Sequence, residues 1–262
     1  IEFRETDREL LKTLGADLYR LILREAVEKV FLEACGDCGD GGERGIRVRL
    51  RIEPPELAVY PWELIYCPHQ DCFLGTSIRT PLVRYLELHG RIQSLEAIRP
   101  LRILMAIPDY ADAGLQLDAG TEKDQLEAVF SGYEGRVEVT LLDGPVTVTR
   151  ISDALMDRAH QAFHFIGHGD WADGEGVLLL NDEHDPARID PVDGPRLAAL
   201  FRNYPHLKLV VLNACKGAAV SPTRPFVGLA PQLVRQGIPA VVAMQHGIYD
   251  DAAVRFSREF YR

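Results

Sequence analysis

AFHFIGHGD, residues 162–170, is an apolar run that stops at a histidine held between two glycines. Phe163, Phe165 and Ile166 read as a buried strand, broken at Gly167 and Gly169 with His168 between them. LKLVVLNACKG, residues 207–217, repeats that punctuation: residues 209–212 read as a second buried strand, which ends at Cys215 with Gly217 close behind. Open parallel sheets bind and react at the carboxyl ends of their strands, so a histidine and a cysteine ending two neighbouring strands would face one cleft. A free thiol, with its pKa of about 8.5, is mostly protonated at neutral pH, and an imidazole within reach can take its proton or pair with the thiolate. The glycines allow close approach of substrate and leave the backbone N–H groups of Gly169 and Cys215 as candidate donors to an oxyanion. Taken singly, Cys215 is equally readable as a small buried hydrophobe and His168 as a loop histidine with one hydrogen bond. Two strand ends with the same punctuation favour the nucleophile and base reading.

From residue 101 onward the pattern alternates strand and helix, the mark of a parallel sheet with crossover helices. Strands are expected at 101–107, 137–142, 162–166, 207–212 and 238–244, and helices at 122–130, 149–159, 194–202, 227–236 and 250–261. Thr121 would cap the first helix, and 176–180 would form a small hairpin. The expectation is therefore an α/β core over 101–262, preceded by a helix and strand subregion over 1–100 packed on it. In that subregion, residues 6–34 carry Leu10, Leu14, Leu18, Leu21, Ile22, Val27, Val30 and Phe31 at helical spacing, and a loop over 36–45 with five glycines ends the helical stretch. A half-exposed strand is expected over 46–52, a short helical segment around Trp62, and a strand pair within 72–84.

Composition excludes several classes of function. Lys plus Arg number 29 and Asp plus Glu 39, a net charge of −10 that argues against a nucleic-acid partner, since phosphates need a basic surface. No apolar run approaches the roughly 20 residues of a membrane span, and no signal peptide is visible. A chain that begins at Ile1 and stops at FYR within a helical pattern reads as a piece of a longer protein, its C-terminal end truncated. Five cysteines in 262 residues are no disulfide framework, and a thiol nucleophile needs a reducing compartment, which points to the cytoplasm. Cys35 and Cys38 form a C-x-x-C, and Cys67 and Cys72 bracket CPHQDC. The four thiolates could hold a structural zinc and make the region an interaction module, but loop thiols are the expected state and no metal or cofactor is called for.

HFIGHG followed by LNAC, with PPELAVYPWELIY and FLGTSIRTPLVRY upstream and VVAMQHGIYDDAAVRFSREFY downstream, resembles the CHAT domain, a bacterial caspase-like cysteine peptidase domain of clan CD. The resemblance runs from about Leu14 to the end, with the four motifs in family order. It implies a three-layer α/β/α sandwich with a mostly parallel central sheet. It further implies that His168 is the general base, that Cys215 is the nucleophile, and that His164 is a strand residue outside the chemistry. By the same resemblance the substrate is a protein or peptide, and activity is released by a sensor domain or partner in a prokaryotic defence or cell-death pathway. A scaffold that keeps this fold without cleaving is the alternative.

Relatives in the clan read the residue before the scissile bond through a deep pocket, often with carboxylates that select Arg or Lys. Asp109, Asp170 and Asp250 all lie near expected strand ends and could supply charge-assisted bonds to such a side chain. Each could instead be a turn or helix cap, and Lys216 beside the nucleophile would favour an acidic substrate. The segment 217–228, with two prolines and several small residues, reads equally as a plain surface connection or as a lid, and the resemblance implies that it is mobile without substrate and ordered with a covalent inhibitor.

Overall fold

The computed structural model describes residues 5–37, 45–58, 60–86, 99–110, 115, 119–172, 175–214, 229–244 and 250–262. The chain divides into two compact units, Ile1–Glu87 and Leu88–Arg262.

The first unit opens with two helices, α1 (Glu5–Ile22) and α2 (Glu25–Asp37). Only part of the expected apolar stripe is buried: Leu18 and Phe31, joined by Tyr19, pack with Trp62, Ile65, Cys67 and Leu74, whereas Leu10, Leu14, Leu21, Val27 and Val30 are exposed. The inward face of α1 is set by Gly15, where a Cβ would lie 2.2 Å from the Leu64 carbonyl oxygen. A glycine there lets the helix approach that backbone closely, which turns Ala16, Leu18 and Tyr19 inward and Leu10, Leu14 and Leu21 outward. The remaining elements are β1 (Val48–Leu50), α3 (Pro55–Ala58), β2 (Tyr66–Cys67), β3 (Cys72–Phe73) and β4 (Leu82–Arg84). β1 pairs in parallel with β4, and β2 with β3 as an antiparallel hairpin, so the two strands of 72–84 pair with other strands and not with each other.

The second unit alternates as expected. Its elements are β5 (Leu101–Pro108), α4 (Ala119–Ser131), β6 (Val137–Gly144), α5 (Val148–Asp157), β7 (Ala162–Gly167), β8 (Gly169–Ala172), β9 (Glu175–Asn181) and β10 (Ile189–Asp193). They are followed by α6 (Gly194–Arg202), β11 (Leu209–Ala214), α7 (Leu229–Arg235), β12 (Ala240–Ala243) and α8 (Asp250–Tyr261). Five strands form one parallel sheet in the order β12-β11-β7-β5-β6, which places β7 at its centre. In place of the expected small hairpin, β8, β9 and β10 form a three-stranded antiparallel sheet with β9 in the middle.

Strand alternation divides the core into two faces. Leu104, Ala106, Phe163, Phe165, Val210 and Leu212 point to one side, where Ile151 of α5, Phe201 of α6 and Leu233 of α7 cover them. Ile103, Met105, Ala162 and Ile166 point to the other, against Leu126 and Phe130 of α4 and Tyr261 of α8. The result is three layers with the sheet in the middle, the architecture that a central parallel sheet needs to bury both faces. Local signals fix the helix starts. Thr147 accepts from the Arg150 N–H at 3.2 Å at the start of α5, and Asp193 from the Arg196 N–H at 2.8 Å at the start of α6. No helix among the described residues is long and apolar enough to cross a membrane.

Candidate active site

β7 and β11 are neighbours and run parallel, paired from Ala162↔Leu209 to Gly167↔Ala214. The two strands therefore end level at the carboxyl edge of the sheet, and the next residues in the sequence are His168 and Cys215. Cys215 and the segment 217–228 lie outside the described residues. His168 is 3 % exposed.

What holds His168 comes from the end of β5. Its backbone N–H donates to the Tyr110 hydroxyl at 2.9 Å, and that hydroxyl donates to the Leu179 carbonyl of β9 at 2.8 Å. The Leu179 N–H in turn donates to the His168 carbonyl at 3.1 Å. The Tyr110 ring lies 4.6 Å from the imidazole, centroid to centroid, with the planes at 50°. Burial pushes the Tyr110 hydroxyl far above its ordinary pKa, against a smaller opposing effect of the His168 backbone bond, so it stays a donor through the neutral range. Unlike Asp109, Tyr110 has no signal in the sequence, since a lone tyrosine after a strand carries no motif.

Hydrogen-bonded and open pairs alternate along an antiparallel ladder. The Leu179 to His168 bond makes Gly169↔Leu178 an open pair, so the ladder does not use the Gly169 N–H. That is the condition its expected role as an oxyanion donor requires. The second expected donor, the Cys215 N–H, lies outside the described residues.

His164, four residues upstream of His168, is fully buried within β7 and belongs to a separate polar cluster. Its Nδ1 lies 3.0 Å from the Tyr261 hydroxyl and its Nε2 3.4 Å from Glu122 Oε1. The same Glu122 oxygen accepts from Asn213 Nδ2 at 2.6 Å and from the Ser257 hydroxyl at 2.6 Å, and Glu122 is 1 % exposed. The cluster thus joins β7 and β11 to α4 and α8. Replacing His164 by Ala removes a partner from both a buried carboxylate and a buried hydroxyl, and is expected to cost roughly 3 kcal/mol of stability. Denaturant unfolding measures that loss, and turnover per folded molecule should stay near the native value. If the folded variant is as inactive as Cys215→Ala, the histidine of the chemistry is His164 and not His168.

Of the three carboxylates expected to read substrate, Asp109 is exposed directly after β5, its N–H bonded to the Gly144 carbonyl at 2.9 Å and its carbonyl accepting from Asn181 Nδ2 at 2.6 Å. Asp170 is half-buried in β8, two residues past His168, and its Oδ1 accepts from the Trp171 N–H at 2.7 Å. Asp250 is the first residue of α8, and its side chain lies outside the described residues, as does Lys216. In the first unit Cys35, Cys67 and Cys72 form no disulfide, and Cys38 lies outside the described residues. Among the described residues, no group of three or more His, Cys, Asp or Glu could hold a metal.

Among curated proteins, none matches this chain. A family model does match, that of the CHAT domain, over residues 12–262. The chain belongs to the CHAT domain family, and with it to the caspase-like cysteine peptidases.

Proposed function

We propose that the chain is a cysteine endopeptidase that cleaves protein substrates with Cys215 as nucleophile and His168 as general base. What supports the reading is the level ending of β7 and β11, whose last pair, Gly167↔Ala214, immediately precedes those two residues. In this reading His168 withdraws the thiol proton and Cys215 Sγ attacks the scissile carbonyl. The Gly169 and Cys215 N–H groups receive the oxyanion, and His168 returns the proton to the leaving amine. Water then hydrolyses the acyl-enzyme by the same route. Asp109 and Asp170 lie near the edge that carries His168, so the proposed substrate has Arg or Lys before the scissile bond. Family membership supports the further proposal that a sensor domain or partner protein switches the activity on, in a prokaryotic defence or cell-death pathway, in the cytoplasm.

The test is labelling of the purified protein with acyloxymethyl ketone peptides that carry Arg, Lys, Asp or Ala in the first position, followed by mass spectrometry. The expected result is a single adduct on Cys215, formed fastest with Arg or Lys and lost in His168→Ala. Absence of labelling by every probe, with a folded protein and its activating partner present, overturns the peptidase reading in favour of a scaffold. Faster labelling by the Asp probe overturns the proposed role of the carboxylates.

A further inference from the structure

The geometry points to Tyr110 as a positioning residue for His168, holding the histidine by a hydroxyl inserted into the strand ladder. The inference rests on the peptidase reading for its kinetic consequence and on the geometry alone for its structural one.

In a regular antiparallel ladder two facing residues of a hydrogen-bonded pair exchange both backbone bonds. His168 and Leu179 exchange only one. The Leu179 N–H reaches the His168 carbonyl at 3.1 Å, but the return bond is replaced by two: His168 N–H to the Tyr110 hydroxyl at 2.9 Å, and that hydroxyl to the Leu179 carbonyl at 2.8 Å. The phenol stands in the place of a single backbone bond between these two residues. Both of its hydrogen-bonding roles are used, it is 3 % exposed, and its ring covers the imidazole from 4.6 Å. One side chain, anchored where β5 ends, thus both fixes the His168 backbone N–H and packs against the imidazole. Without the hydroxyl, the His168 N–H must either lose its acceptor or close directly on Leu179, which displaces the imidazole. A misplacement of about 1 Å in a catalytic group costs on the order of 100-fold in rate.

Tyr110→Phe keeps the ring and deletes the inserted hydroxyl. The expected result is a kcat about 10- to 100-fold below native, with KM changed less than about 2-fold, as for a residue that aligns the chemistry and not the substrate. The imidazole of His168, followed by NMR, should titrate with a displaced midpoint. Tyr204→Phe is the control: it deletes another hydroxyl of the same unit, bonded to Ser152 Oγ at 2.8 Å and to the Ser152 carbonyl at 3.0 Å, and should leave both readouts at native values. Native kcat and an unmoved His168 midpoint in folded Tyr110→Phe overturn the inference. If the native protein cleaves no peptide, the peptidase reading fails, and the NMR comparison still decides whether Tyr110 sets His168.

Discussion

Cys215→Ala and His168→Ala are each expected to lower peptide hydrolysis by roughly a thousandfold or more, while the protein still folds. In the proposed mechanism the cysteine variant has no nucleophile, and the second unit holds no other thiol, because the remaining four cysteines all belong to the first unit. The histidine variant keeps the thiol but must ionise it without a base. Its residual rate should therefore climb with pH above neutrality, more steeply than the native rate. Survival of the fold follows from position. His168 stands in the step between β7 and β8, and the two aliphatic and aromatic clusters that hold the sheet do not include it. Its removal leaves a gap beside the Tyr110 ring, expected to cost on the order of 1 kcal/mol. Circular dichroism and thermal unfolding check the fold, and turnover of an Arg or Lys peptide checks the chemistry. Either variant cleaving at the native rate removes that residue from the mechanism.

Residues 101–262 were legible because their signals are local. Runs such as 162–166 and 209–212 are buried on both faces and bounded by glycine or asparagine, which is how a central parallel strand reads. The separation of the two histidines was legible too: His164 lies inside an apolar run and His168 outside it. What the sequence did not disclose depends on contacts between distant residues. Glu122 meets Asn213 and Ser257 across 91 and 135 positions, and a lone glutamate in a helix signals nothing until the strand and the last helix close over it. Tyr110 reaches Leu179 across 69 positions. In the first unit the apolar pattern of α1 misled for a different reason. Leucines 10, 14 and 21 share a helical face, but the face that packs is the one whose glycine lets the backbone approach, and a hydrophobic count gives glycine no weight.

Gly167→Ala is expected to damage both the fold and the site, although it adds a single methyl group. The backbone at Gly167 is not in the left-handed region, so the requirement for glycine is one of space. A Cβ there would lie 2.3 Å from Cζ of Phe165, 2.6 Å from its Cε1 and 2.6 Å from the Tyr110 hydroxyl, all shorter than any real carbon contact. Neither neighbour can yield cheaply. The Phe165 ring is fully buried in the cluster between the sheet and α5, α6 and α7, and the Tyr110 hydroxyl is held at both ends. Overpacking of this kind costs about 1–3 kcal/mol. The strain falls on the strand end directly before His168 and on Tyr110, which packs against it, so kcat/KM should drop about 100-fold even where the protein is fully folded. Phe165→Leu in the same chain should recover part of both losses by vacating the space the methyl group needs, and the two substitutions should couple by about 1 kcal/mol or more in a double-mutant cycle. Additive losses in that cycle would place the clash elsewhere. Native kcat/KM in Gly167→Ala would show that the close approach of Phe165, Tyr110 and the strand end does not govern His168.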